Sequence, residues 1–421
     1  MHLTESLQTI GGDSIKLGQF ISAGGQGNVY EATLRSTGSF GVVKFFKSQF
    51  NSADTRRRCE FLVGASEYLN NEIISVPTRI INEKGRLGHF TKFALGQGME
   101  EFIQKVKFSR IQALQLGMAT AHAVDVLHSN QIAHGDLHSN NVRVEISDDV
   151  LIPHIIDLDN FRAPGLPPPV MIGQNLYLAP EQYRAMRQGK DASPTINTDL
   201  FSLGVLMHEI LLLKHPAAGA DHSEQSFEKA MYRGEWRHDP SLSRKLTEMI
   251  GGYPPQVLGP ELSRLFRRSM SLEPSTRPTA SEWKLALQDA LDNVYLCPYC
   301  KGPFITDSSR NECDYCKKPF PILNILCPNG TRIPIDKAAV LIGRNDFTGE
   351  PTISARHAVF RRCGPNNYVE SYGRNGTYFW DGNRWKRIPD RQSVAIKEGD
   401  KLKLGPVEIN LIGGSNGIHR T

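Results

Sequence analysis

Three side chains stand close enough along the chain to share one reaction. Asp136 and Asn141 lie five residues apart in HGDLHSNNV (134–142), and Asp157 follows in IIDLDNF (155–161), carried in on a short apolar run. A carboxylate can take a proton from a hydroxyl, and an amide oxygen beside a second carboxylate suits a hard divalent cation. Upstream, Lys44 ends the apolar stretch FGVVK (40–44), which follows the small residues of SAGGQGNVY (22–30). Small residues there let backbone N–H groups approach phosphate oxygens. Downstream, Cys297-Pro-Tyr-Cys300 and Cys313-Asp-Tyr-Cys316 are separated by twelve residues. Two such hairpins bring four thiolates to tetrahedral distance for a structural zinc ion, with no position left open for catalysis.

The elements that must position these groups change in character along the chain. Residues 15–47 alternate apolar positions and read as strands around the Gly-rich turn. From about 100 to 130 the spacing turns helical, with Ile111, Leu114, Met118, Ala121 and Val124 expected on one buried face. Residues 160–180 are Pro-rich and read as a loop, and helical patterns resume at 196–213 and continue to about 293. Residues 322–415 are short strands broken by Gly, Asn and Pro, which predicts an all-β sandwich.

A chain of 421 residues should hold two or three domains, and 39% hydrophobic and 22% charged residues are globular values. The longest apolar stretch, LFSLGVLMHEILLL (200–213), is too short for a membrane span and is broken by His208 and Glu209. MHLTESLQTIGG lacks the charged and apolar regions of a signal peptide. Seven cysteines, four of them in CxxC pairs, fit metal binding in a reducing compartment, so a cytoplasmic location is expected. Residues 322–421 hold 15 Lys and Arg against 9 Asp and Glu, an excess of +6, while the rest of the chain is −1, so the net +5 comes from that segment. A specific anion site explains that excess as well as nucleic acid does.

Residues 15–293 resemble a bacterial eukaryotic-type (Hanks-type) Ser/Thr protein kinase. Besides the motifs above, GQNLYLAPEQ (173–182) is similar to the end of an activation segment, with Ala179-Pro180-Glu181 as its APE signature. TDLFSLGVLMHEIL (198–211) resembles the helix whose Asp, here Asp199, braces the catalytic loop, and Arg277 in LEPSTRPTA stands where an arginine pairs with the APE glutamate. The resemblance implies a bilobal α+β fold and transfer of the ATP γ-phosphate to protein Ser and Thr. Asp136 would orient the substrate hydroxyl, while Asn141 and Asp157 would hold magnesium or manganese. Ser22, Gly24, Gly25, Gly27, Val29 and Lys44 would contact ATP. The carboxylate partner of Lys44 is expected at Glu60, with Glu67 as competitor on the same helix.

Three departures from the family pattern bear on activity. Gly135 replaces the arginine before the catalytic Asp, and residues 160–176 contain no Ser, Thr or Tyr. Both absences agree with activity that does not await phosphorylation of that loop. Asp157-Leu158-Asp159 replaces Asp-Phe-Gly, and Asp159 lacks glycine's freedom at positive φ. His138 stands where a lysine usually meets the γ-phosphate.

Residues 294–320 resemble a zinc ribbon. LIGRND, TISARHAVF, YGRNGTYFW and EGDKLKLG, within 322–415, resemble the forkhead-associated (FHA) domain, a phosphothreonine reader. By that resemblance Arg344 and Ser354 bind phosphate, Arg356 and Arg374 add charge, Asn375 contacts the ligand backbone and His357 braces the loop. Ala355 stands where a polar side chain often assists. Thr4, followed by Leu7 at the third position, is a candidate internal ligand. The expected architecture is thus multidomain, and the expected partners are protein substrates and phosphothreonine-containing proteins, with nucleic acid and membrane disfavoured. The combination is similar to kinases of bacterial tellurite-resistance-associated phosphorylation systems, which implies a PP2C-type phosphatase and a von Willebrand A protein as further partners. Two alternatives stay open: a pseudokinase scaffold whose FHA domain carries the function, and a small-molecule phosphotransferase.

Overall fold

The computed structural model describes residues 6–413, apart from 70–71, 170, 172, 220, 222, 243–252, 254, 306–311, 314, 337–338 and 348. The chain forms two compact units, Met1–Asp292 and Asn293–Thr421. The first unit begins with six antiparallel strands: β1 (Ser6–Gln8), β2 (Ser14–Ala23), β3 (Gly27–Leu34), β4 (Ser39–Phe46), β5 (Pro77–Glu83) and β6 (Arg86–Lys92), in the order β1-β2-β3-β4-β6-β5. One face buries Leu7, Ile15, Val43, Phe45, Ile81 and Phe90. Leu7 is fully buried there, in register with Ile15, so it is not the exposed ligand residue expected beside Thr4. Thr4 itself lies outside the described residues. Between β4 and β5 runs helix α1 (Ala53–Ala65), whose N-terminus is capped by Ser52 Oγ accepting from Thr55 N at 3.1 Å.

The larger lobe is helical. Helices α2 (Met99–Lys105) and α3 (Arg110–Ser129) replace the single helical stretch expected near 100–130, and a Ser109/Gln112 capping box starts α3. The buried stripe of α3 contains Leu114, Ala121 and Val124 as expected, but Ile111 lies at its rim, 37% exposed, because the inner stripe runs through Ala113, Leu116 and Leu127. A three-stranded sheet, β7 (Gln97–Gly98), β8 (Val142–Ser147) and β9 (Val150–Ile155), follows. Its β8–β9 hairpin connects the loop bearing Asp136 and Asn141 to Asp157. Helices α4 (Pro180–Arg187), α5 (Ile196–Leu212), α6 (Glu224–Tyr232), α7 (Gly259–Ser269) and α8 (Ala280–Asp292) complete the lobe. Helix α5 is apolar almost all round and buried almost throughout, as a central helix must be.

The second unit starts with the hairpin β10 (Val294–Leu296) and β11 (Pro303–Ile305) beside the cysteines. Ten strands follow: β12 (Leu323–Leu326), β13 (Arg332–Pro334), β14 (Ala339–Ile342), β15 (Ala358–Cys363), β16 (Asn366–Ser371), β17 (Thr377–Trp380), β18 (Trp385–Ile388), β19 (Ser393–Ile396), β20 (Lys401–Leu404) and β21 (Val407–Gly413). They form two antiparallel sheets, β13-β12-β21-β20-β17-β18 and β14-β15-β16-β19. Alternate residues of both sheets, among them Ile325, Ile342, Phe360, Val369, Leu402 and Leu411, share one core. Among the described residues, no helix is long and apolar enough to cross a membrane.

Candidate active site

Asp199, near the start of α5, shapes the loop that carries Asp136. Its buried carboxylate accepts from His134 N at 2.5 Å and Gly135 N at 3.0 Å, and lies 3.2 Å from His128 Nε2. Gly135 has φ +78°, and a Cβ there would fall 2.1 Å from the Asn160 carbonyl oxygen. Glycine is therefore a steric requirement of this loop, where an arginine would not fit. Asp136 accepts from Gln174 N at 3.0 Å and from Asn160 Nδ2 at 3.2 Å. Asn141 Nδ2 donates to the Asp136 carbonyl at 2.9 Å, which leaves its amide oxygen for a cation. His138 Nδ1 accepts from Asn140 N at 3.2 Å, so the ring proton resides on Nε2, 3.6 Å from Asp136 Oδ1. Burial pushes the His138 pKa below its ordinary value against the opposing pull of Asp136.

Lys44 reaches this loop from β4. Its Nζ lies 3.1 Å from Asp157 Oδ1 and makes an ion pair with Asp159 Oδ2. Burial opposes the charge on Lys44, but the two carboxylates outweigh it and hold the ammonium pKa above its ordinary value. Burial also opposes the charge on Asp159, and Lys44 with His89 keeps that carboxylate ionised, well below its ordinary range. The left-handed conformation falls at Asp157 (φ 58°, ψ 64°), and Asp159 sits in the 3-10 turn Leu158–Asn160. The positive φ that sequence comparison attached to position 159 is therefore not needed there.

Glu60 does not meet Lys44. It is exposed on α1, and Glu67 is exposed beyond the end of that helix. The buried residues of α1 are Arg58, Cys59, Leu62 and Ala65, and Glu60 is about 200° round the helix from Arg58. Arg58 donates to the carbonyl oxygens of Asp159 (2.9 Å), Phe161 (2.5 Å) and Pro167 (3.1 Å) and lies over the Phe161 ring. Sequence reading passed over Arg58 inside the run RRRC. Its spacing to Leu62 and Ala65, four and seven residues, was the signal that it faces inward.

The Gly-rich turn closes by a 2.8 Å bond from Gly24 N to Gly27 O, and a Cβ on Gly27 would meet Phe45 O at 2.5 Å. Ser22 and Val29 pair across this hairpin and line the cleft with Val42, Lys44, Thr91, Phe93, Ala94 and Leu158. A Cβ on Gly25 would meet the Met171 side chain at 3.4 Å. Gln26, which sequence reading did not single out, donates to Asn160 Oδ1 at 2.7 Å and links the turn to the Asp136 network. Farther off, Arg277 forks onto both oxygens of Glu181 at 2.7 Å and stacks over Phe201, as the family pattern implied.

In the second unit the Sγ atoms of Cys297, Cys300, Cys313 and Cys316 all lie within 4.8 Å of one another. Cys297 to Cys316 is 3.7 Å and Cys300 to Cys313 is 3.6 Å. Zinc–sulfur bonds of about 2.3 Å at tetrahedral angles require about 3.8 Å. The two knuckles repeat one backbone design, with Lys301 N and Lys317 N donating to the carbonyls of Cys297 and Cys313. Both lysines have φ near +60°, at 60° and 58°.

The residues expected to take phosphothreonine gather around 352–354. Arg344 N donates to Ser354 O (3.1 Å), and Arg344 Nε to Ile353 O (2.9 Å). Arg374 N donates to Ser354 Oγ (3.1 Å), and Asn375 Nδ2 to Thr352 O (2.7 Å). Arg356 is exposed two residues from Ser354. His357 is buried; its Nδ1 accepts from Ser354 N (3.1 Å) and its Nε2 donates to Gly376 O (2.9 Å). A Cβ on Gly373 would lie 2.4 Å from that ring, so only glycine fits against it.

Residues 332–405 match the family model of the FHA domain. Over 212 residues, 48% of this chain and 48% of the relative, the chain is 28% identical to serine/threonine-protein kinase PknA of Mycobacterium tuberculosis. It is 25% identical over 291 residues to calcium-dependent protein kinase 10 of Oryza sativa (66% of this chain, 43% of the relative) and 24% identical over 241 residues to Aurora kinase A-A of Xenopus laevis (56% of each). The chain thus spans about half the length of the PknA relatives it matches. Residues 15–288 match the model of the protein kinase domain, and on that match the chain belongs to the protein kinase family.

Proposed function

We propose that the protein transfers the γ-phosphate of ATP to serine or threonine hydroxyls of proteins. The observation that carries this reading is the contact of Lys44 with Asp157, 113 residues away, beside an Asp136 carboxylate held by Gln174 and Asn160. The donor set fits magnesium: a carboxylate with 42% of its side chain exposed at Asp157, and the amide oxygen of Asn141. When bound, ATP with its magnesium supplies the phosphoryl group and the neutralisation of its charge. The chain's own part is to position and to receive a proton. Asp136, oriented by two hydrogen bonds, accepts the proton of the substrate hydroxyl. Lys44 holds phosphate oxygens, and the small residues of the 22–30 turn let backbone N–H groups approach them.

The four cysteine sulfurs fit a structural zinc ion, and the cluster around 352–354 fits a phosphothreonine on a partner or on the protein itself. Four thiols poised for metal suit the reducing cytoplasm. The phosphatase and von Willebrand A protein implied by resemblance are the partners to test by co-purification. A pseudokinase scaffold is the competing reading, favoured by Ser22, His138 and Asp159 standing where the family pattern has other residues. Incubation with γ-labelled ATP and magnesium or manganese, followed by mass spectrometry, decides between them. Modified Ser or Thr outside 160–176 is expected, and Asp136→Asn should slow incorporation by about 10²-fold or more. Equal incorporation by wild type and variant would overturn the catalytic assignment.

A further inference from the structure

Lys44 has two carboxylates and they are not equivalent. The Asp159 side chain is 8% exposed, whereas that of Asp157 is 42% exposed and opens to the cleft. A buried ion pair is screened less and holds its geometry better than an exposed one. Asp159 is itself fixed, because Arg58 of α1 binds the carbonyls of residues 159, 161 and 167. His89 Nε2 lies 3.6 Å from its other oxygen. Neither carboxylate of α1 pairs with Lys44: Asp54 lies 3.9 Å from Arg57, and Glu60 is exposed.

We propose that Asp159 is the positioning residue for Lys44, and that α1 supports it through Arg58 rather than by a glutamate of its own. By holding the ammonium from the buried side, Asp159 keeps Lys44 from closing entirely on Asp157, whose carboxylate stays available to a divalent cation. The inference rests on the phosphotransfer reading for the meaning of Lys44 and Asp157. It differs from that reading in what would break it.

Binding of magnesium-ADP and of adenosine, measured by calorimetric titration of the full chain, tests this in five proteins: wild type, Asp159→Asn, Lys44→Met, the double variant and Glu60→Gln. Asp159→Asn should weaken magnesium-ADP binding at least fivefold while adenosine affinity stays within twofold. In the Lys44→Met background the same change should add less than twofold, because residues acting through one another are not additive. Glu60→Gln should stay within twofold on both ligands. A fivefold loss in Glu60→Gln, additivity of the double variant, or no effect of Asp159→Asn would overturn the inference. So would equal loss of adenosine and ADP binding, which marks a merely structural role. If Asp159→Asn does not fold, the proposal stands or falls on Glu60→Gln. Wild type that binds magnesium-ADP but transfers no phosphate would instead remove the proposed function and leave this comparison intact.

Discussion

At the scale of single residues, burial decides which groups keep their charge. Lys44 and Asp159 remain ionised because each is the other's partner. Glu209 of α5 has no cation and is treated differently: burial pushes its pKa up to about 8, against the hydrogen bond that Tyr177 donates at 2.6 Å, with Glu100 adding to the rise. A carboxyl whose folded-state pKa lies above its unfolded value takes up a proton on folding. Its contribution is full below the unfolded pKa of about 4.5 and is lost as pH rises through about 8. The melting temperature of the wild type should therefore fall more between pH 6 and pH 9 than that of Glu209→Gln, which keeps a neutral acceptor for Tyr177. Parallel melting curves for the two proteins would show that Glu209 is charged in the fold.

At the scale of elements, the two cysteine knuckles cannot bury a core of their own. Among the described residues, Cys297, Phe304, Cys313 and Phe320 form a small cluster there, with Tyr295 and Cys316 packed against it. Gly302 is required for their approach, since a Cβ would lie 2.5 Å from the Tyr315 ring. Under the proposed zinc site, the metal would supply the folding free energy of this segment, on the order of 10 kcal/mol in comparable peptides. One zinc per chain is expected by elemental analysis, and Cys297→Ser/Cys313→Ser should lose it while phosphate transfer largely survives. Zinc retained by that double variant would place the metal elsewhere.

At the scale of the whole molecule, one chain carries a protein kinase domain and an FHA domain, and under the proposed function the first would make the phosphothreonine that the second would bind. Tethering raises the local concentration of a phosphorylated partner without any new contact at the active site. Charge-assisted bonds to phosphate contribute about 1.5–3 kcal/mol each. Arg344→Ala should accordingly lose tenfold or more in affinity for phosphothreonine peptides while transfer to a generic substrate is unchanged. A titration in which the wild type does not distinguish phosphothreonine from threonine or phosphoserine peptides would overturn this coupling.

Short-range features were legible in the sequence because their causes are short-range. The spacing of Asp136 to Asn141, the doubled CxxC pairs and the glycines of the 22–30 turn are each set by backbone geometry within a few residues. The pattern of 196–213 likewise announced a helix, and the Gly, Asn and Pro breaks after 322 announced short strands. The partner of Lys44 was not legible. A lysine and a carboxylate 115 residues apart meet only through the packing of α1 and the turn at 158–160, and the rotational phase of α1 decides whether Arg58 or Glu60 faces inward. Leu7 is a second case, where an apparently polar tail became an edge strand that buries Leu7 against Ile15 and Ile81. Sequence determined which groups are present and how each is held locally; tertiary packing alone decided which of them touch, because the phase of a helix and the docking of a strand depend on contacts distant in the chain.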